Sequence, residues 1–171
     1  MDAVEAMLTR RSIRKYRAEP VSEEAIDTLL RAAMAAPSAG NEQPWHFIVI
    51  RDRTVLDTIP STHPYAQMAA SAPLAIVVCG DERLAKYESF WVQDCAAATQ
   101  NLLLAAHANG LGAVWCGVYP SEERVAAVRG LLAIPEQITP FSLIVLGHPD
   151  EEKGPADRFD GARVHRDRFG A

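Results

Sequence analysis

Pro37-Ser38-Ala39-Gly40-Asn41-Glu42-Gln43-Pro44-Trp45-His46-Phe47 runs directly into the β-branched stretch Ile48-Val49-Ile50. Proline and glycine at both ends make a shaped loop rather than a loose one. Ser38, Asn41 and Gln43 supply neutral donors and acceptors, which suit a ring edge read by hydrogen bonds without added charge. The same residues would also serve an ordinary helix-to-strand connection, so on this stretch alone both readings stay open.

Upstream lies a second unusual segment, Arg10-Arg11-Ser12-Ile13-Arg14-Lys15-Tyr16. A phosphate monoester carries about −1.5 to −2 charges at neutral pH and is held by guanidinium forks and hydroxyl donors. Arg10, Arg11, Ser12 and Arg14 provide that set at the end of a helix; a solvated basic patch is the alternative. The background is acidic: net charge is −5 over 171 residues, with 49% apolar and 23% charged residues. That composition is globular and argues against a nucleic-acid binder.

Around these segments strands and helices alternate. A first helix is expected from Asp2 to about Arg11, with Val4, Met7 and Leu8 on one face. Ser22 caps a second, Val21 and Ile26 form its hydrophobic staple, and Ile26, Leu29, Leu30 and Ala33 recur at helical spacing before Pro37 ends it. Phe47 to Ile50 reads as a strand, and Asp52 caps a short helix through Val55, Leu56 and Ile59. Leu74 to Cys79 reads as a central strand buried on both faces. The longest helix is expected from about Ser89 to Asn109, roughly 30 Å long, with Gly110 at its C-terminal cap. Ala113–Val118 and Phe141–Leu146 read as further strands, and a helix between them starts at Ser121 and stops at Gly130.

The long helix is apolar on nearly every face. Ala97, Ala98, Leu102 and Ala105 cannot all face one sheet from a single helix. Either it is the central helix of a monomer or it meets a second subunit. After Pro149 charges crowd the chain. That stretch is either a frayed tail or an arm docking through Phe159, Val164 and Phe169. Alternation alone predicts a parallel α/β sheet.

Other chemistries leave no trace. No Walker loop, dinucleotide fingerprint or Gly-x-Ser-x-Gly elbow occurs, since Gly110-Leu111-Gly112 is followed by Trp115 where a fingerprint needs glycine. The histidines lack metal-ligand spacing, and Cys79, Cys95 and Cys116 read as buried, reduced thiols. No signal peptide or apolar span of membrane length is visible, so a cytoplasmic protein is expected.

The two segments, in this order and about 25 residues apart, resemble the nitroreductase family. The resemblance continues through Ala72-Pro73, the helix ending in Gly110-Leu111-Gly112, Trp115-Cys116-Gly117 and the terminal Val164-His165-Arg166-Asp167-Arg168-Phe169. Phe169 departs from the tryptophan the family usually carries there. The resemblance covers nearly the whole chain. It implies a single domain over 1–171, with a three-layer α-β-α sandwich of the α+β class around a mixed, largely antiparallel sheet. It also implies a domain-swapped C-terminal arm over about 150–171.

The resemblance further implies a homodimer with FMN, tightly but non-covalently bound, at the interface. On that pattern Arg10, Ser12 and Arg168 hold the phosphate, Arg14 lies near it, and Arg11 is less certain. Pro37, Ser38 and Asn41 reach the flavin, usually that of the partner subunit. Gln67 lies near the ring or ribityl chain, and the backbone amides of Cys116 and Gly117 face the isoalloxazine. The implied function is ping-pong hydride transfer from NADH or NADPH through flavin N5 to a small conjugated acceptor such as a nitroaromatic or quinone. Relatives with the same fold also carry out dehalogenation, enone reduction or flavin destruction. A flavin-binding module without turnover is the reading from a different class.

Overall fold

The structure is a computed structural model, and it describes residues 1–154 and 156–170. Five α-helices and four strands follow one another as α1 (Ala3–Thr9), α2 (Glu23–Met34), β1 (Trp45–Ile50), α3 (Arg53–Thr62), β2 (Leu74–Asp81), α4 (Trp91–Ala108), β3 (Gly112–Gly117), α5 (Glu122–Leu132) and β4 (Ile138–Gly147). Short 3-10 turns lie at Ala39–Asn41, Gln67–Ala70 and Gly161–Arg163.

Local chemistry sets most helix starts. Asp2, Ser22, Asp52 and Ser121 each accept a backbone N–H from the first turn of α1, α2, α3 and α5. Val21 and Ile26 are both buried, as a staple requires. Gly110 lies just beyond α4 with φ +76°, the left-handed geometry that ends helices. Gly130 does not stop α5 as expected. The helix runs on to Leu132, and Ala133 takes the left-handed position with φ 51°. Leu131 and Leu132 pack against the core, so two extra apolar contacts outweigh the helix cost of one glycine, about 1 kcal/mol.

The sheet order is β1-β2-β4-β3, and every neighbouring pair is antiparallel. The parallel arrangement suggested by strand-helix alternation is therefore wrong, and the largely antiparallel one holds. Among the described residues the parallel element is a lone bridge from Ser12 to Ala113. β2 is central and buried along its length, as its unbroken apolar run requires.

Two cores flank the sheet. Leu74, Ile76 and Val78 face α2 and α4, whereas Ala75, Val77 and Cys79 face α3 and α5. Successive strand residues point to opposite faces, so one strand feeds both cores and a three-layer α-β-α sandwich results.

α4 spans Trp91–Ala108, about 27 Å, slightly shorter than the sequence implied. Its apolar residues divide between two environments. Ala98, Leu102, Leu103 and Ala106 are buried in the chain's own core. Ala97 and Ala105 are half-buried against the edge of that core, and Leu104 is half-buried in a cleft lined also by Ala6 and Met7 of α1 and Ala32 of α2. Leu102 thus belongs to the intrachain core and not to an outward stripe. α1 is shorter than expected and buries only Ala6; Val4, Met7 and Leu8 are exposed. Residues 157–170 lie exposed along the surface, with Phe159 82% and Phe169 92% accessible. The arm expected over about 150–171 includes Pro155 and Ala171, which lie outside the described residues. Among the described residues no helix is long and apolar enough to cross a membrane.

Candidate active site

The segment Ser12–Arg14 runs alongside the start of β3. Ser12 bridges Ala113, and the Ile13 N–H donates to the Ala113 carbonyl at 3.1 Å. This pairing carries Arg14 toward the far end of β3. There a cavity of about 410 Å³ is lined by Arg14, His63, Tyr65, Gln67, Met68, Trp115, Cys116 and Gly117, among others. Four of the residues singled out from the sequence, Arg14, Gln67, Cys116 and Gly117, therefore share one cavity although they span a hundred positions.

The two walls of this cavity are cross-linked. His63 Nε2 donates to the Gly117 carbonyl at 2.8 Å, and Cys116 Sγ donates to the Tyr65 carbonyl at 3.5 Å. Arg124 donates to the same Gly117 carbonyl at 3.0 Å and lies over the Tyr65 ring, 5.2 Å from its centroid. A Cβ added at Gly117 would meet nothing within 4 Å. The peptide there is a bare platform open to a flat ligand. Burial pushes the Cys116 thiol up to about 11, so at neutral pH its sulfur is protonated and no nucleophile.

A cationic cluster surrounds the C-terminus of α1. Burial and the nearby Arg158 and Arg11 guanidiniums push Arg10 below its ordinary range. His107 is pushed down by burial and by Arg10 and Arg11, with Glu5 acting the other way. Like charges crowded in this manner favour an anion. Arg11 is partly committed elsewhere: its Nε donates to the Gly154 carbonyl at 3.0 Å and its Nη1 to those of Leu8 and Arg10. Its Nη2 is buried without a partner. The Ser12 carbonyl accepts from Lys153 Nζ at 2.6 Å.

Arg168, expected to join Arg10, lies exposed in the C-terminal segment. Among the described residues its side chain makes no hydrogen bond or ion pair within the chain. Arg158 occupies the neighbourhood of Arg10 instead.

The loop after α2 forms a separate cavity of about 400 Å³, lined by Pro37, Ser38, Ala39, Phe90, Gln93, Asp94 and Ala97. It shares no lining residue with the first. Gly40, Asn41 and Gln43 all have positive φ, between 50° and 57°. Ser38 Oγ accepts the Gln43 N–H, Asn41 Oδ1 accepts from Gln43 Nε2, and Asp94 Oδ1 accepts the Ala39 N–H. Asp94 Oδ2 is buried and unpartnered.

Sequence reasoning missed His63, Arg124, Asp94 and Arg158. Asp94 left a signal, because a carboxylate within an otherwise apolar helix turn must be held by something. His63, Arg124 and Arg158 left none; each is one polar residue among many until the chain is folded.

These features fit FMN: a cationic cluster suited to a phosphate, an open glycine platform, and a ring-sized cavity in which Gln67 Nε2 donates to the Pro60 and Pro64 carbonyls and, among the described residues, leaves its Oε1 free to accept. Fold and site together define a flavin oxidoreductase. The chain belongs to the nitroreductase family, whose sequence profile it matches over residues 7–148. It is 56% identical to a Methanothermobacter thermautotrophicus protein named NADH dehydrogenase/NAD(P)H nitroreductase, over 99% of this chain and 88% of that one. A solved structure of a protein of the same description from Parabacteroides distasonis superposes with a TM-score of 0.94 at 43% identity, covering 98% of each chain. A Desulfovibrio desulfuricans nitroreductase solved in complex with FMN superposes with a TM-score of 0.86 at 34% identity, covering 99% of this chain and 98% of that one.

Proposed function

We propose that this chain is an NAD(P)H-dependent FMN oxidoreductase that works as a homodimer by a ping-pong sequence, reducing a small conjugated acceptor such as a nitroaromatic or quinone. The observation that carries this reading is the convergence of Arg14, Gln67, Cys116 and Gly117 on one cavity. FMN held by these residues would supply the hydride-transfer chemistry between nicotinamide and acceptor. The chain's own residues bind and orient. Arg10, Ser12 and, from the terminal segment, Arg168 hold the phosphate, with Arg14 and Arg11 close by. Gln67 and the Cys116–Gly117 amides face the ring. Fixed donors there favour negative charge on the reduced ring, because they need no reorganisation as charge develops.

Two features support assembly. Pro37, Ser38 and Asn41 lie on or beside a cavity distinct from the first, as expected if they serve the partner's flavin. Val4, Met7, Leu8 and Met34 are exposed, and Leu104 of α4 is half-buried in a cleft lined also by Met7. An exposed apolar surface of this kind calls for a partner. The exposed Phe159 and Phe169 suit an arm that embraces it.

The test is direct. Purified protein incubated with FMN and desalted should keep equimolar flavin and oxidise NADH or NADPH when a nitroaromatic or quinone is supplied. Retained flavin without acceptor-dependent turnover would leave a binding module, and no retained flavin would end the reading.

A further inference from the structure

Gly117 presents a conflict between access and order. Its missing side chain leaves the cavity open above the peptide. The same omission gives the backbone more freedom than any other residue would. A loose peptide is a poor partner for a ring whose charge changes during the reaction.

The structure resolves this conflict with side chains from two other elements. The Gly117 carbonyl accepts both His63 Nε2–H, at 2.8 Å, and Arg124 Nη1–H, at 3.0 Å. His63 is itself fixed. It is only 1% exposed, and its Nδ1 accepts the Tyr65 N–H at 3.3 Å, which leaves the hydrogen on Nε2. Its backbone N–H donates to Ile59, and its carbonyl accepts from Ala66. Arg124 reaches over from α5 and covers Tyr65. The wall carrying Gln67 and the wall ending in Gly117 are thus tied at one carbonyl.

We propose that His63 and Arg124 are positioning residues for the flavin: by clamping the Gly117 carbonyl they set the orientation of the Cys116–Gly117 turn and its spacing from Gln67. The inference rests on the assignment of this cavity to the FMN ring. Neither residue needs to touch the cofactor. Their effect passes through the peptide, whose fixed dipoles distinguish oxidised from reduced ring.

The experiment compares His63→Leu, His63→Gln and Arg124→Met with the unaltered protein. It measures Kd for FMN and for riboflavin, and the midpoint potential of the bound flavin; circular dichroism checks folding. His63→Leu should weaken both ligands in parallel, about tenfold, because the ring wall changes and the phosphate cluster does not. The potential should move with it, since a tenfold difference between oxidised and reduced affinities corresponds to about 30 mV for a two-electron couple. His63→Gln can still donate to Gly117 and accept from Tyr65, and should recover most of the loss. Arg124→Met should shift both quantities in the same direction by less.

Folded variants with unaltered affinity and potential would overturn the inference. So would a His63→Leu protein that loses affinity with no change in potential and no recovery in His63→Gln. If His63→Leu does not fold, the half-buried Arg124→Met decides on the same two readouts. Unaltered protein that retains no flavin overturns the cavity assignment and this inference with it. Retained flavin with indistinguishable variants overturns this inference alone.

Discussion

Asp94 on α4 holds Ala39, 55 positions earlier, through a 3.0 Å hydrogen bond from the Ala39 N–H to Oδ1, while its Oδ2 is buried with no partner. The Ala39 loop contains three residues at positive φ, and two of them are not glycine. Such a conformation persists only where its surroundings enforce it. The buried side chain of Asp94 is one enforcing contact.

Asp94→Ala should therefore loosen the loop. Leaving the Ala39 N–H unpaired costs about 1–3 kcal/mol. Urea unfolding should show that loss, and FMN affinity should fall with it if the loop serves a flavin. Unchanged stability would show that Asp94 does not hold the loop.

Arg10→Ala should weaken FMN roughly ten- to a hundredfold, the effect of removing one charge-assisted contact of about 1.5–3 kcal/mol. Riboflavin, which lacks the phosphate, should be affected far less. Arg168→Ala should behave alike although, among the described residues, the Arg168 side chain makes no hydrogen bond or ion pair within the chain. Calorimetric titration with both ligands checks this, and equal weakening of the two would place these residues outside the phosphate site.

The two leucines of α4 should separate folding from assembly. Leu102 is fully buried in the chain's own core, so Leu102→Ala should cost about 2–5 kcal/mol of stability. Leu104 is half-buried and belongs to neither core, so Leu104→Glu should leave a folded chain that sediments as monomer and releases FMN. A Leu104→Glu dimer with normal flavin content would remove α4 from the interface.

The three thiols should resist alkylation. Burial pushes Cys116 up to about 11 and Cys79 up to about 12, and drives Cys95 up as well. At pH 8 a thiol of pKa near 11 is about 0.1% thiolate. Iodoacetamide should label the native protein slowly and the unfolded protein quickly, as followed by mass spectrometry. Cys116→Ser should keep turnover.

Acid should unfold the protein partly through Asp81. Arg83, donating to both carboxylate oxygens, and then His46 hold this carboxyl at about 2, against an ordinary value near 3.8. A depressed carboxyl stabilises the fold above its unfolded value and loses that contribution as pH falls. The loss should run from about pH 4 to about pH 2, and Asp81→Asn should flatten that part of a pH–stability curve measured by thermal melting.

Much of the molecule was legible before folding because its causes are local. Caps at Ser22, Asp52 and Ser121 act over three residues, and the apolar run Leu74–Cys79 declares burial on two faces by itself. The ordered pair of segments beginning at Arg10 and Pro37 pointed to the family because each carries its spacing within a dozen residues. Elsewhere local signals misled. Gly130 has a helix-stopping composition, yet Leu131 and Leu132 find core partners and the helix continues. The apolar face of α1 looked like core, yet only the small Ala6 is buried and Val4, Met7 and Leu8 remain outside.

By itself, then, the sequence determined most of the elements, the caps at Ser22, Asp52 and Ser121, the two-sided burial of Leu74–Cys79 and the residue types able to meet a phosphate and a ring. Tertiary structure decided what depends on distant partners. Strand-helix alternation is compatible with either strand direction; only the pairing of β2 with both β1 and β4 made the sheet antiparallel. Periodicity could not divide α4 between an inner and an outer side, because nearly every position is apolar and only the neighbouring sheet selects Ala98 and Leu102. The bonds from His63 and Arg124 to Gly117, and from Asp94 to Ala39, join segments with no shared pattern. A buried polar group must find a partner, but its own sequence neighbourhood does not say where in the chain that partner lies.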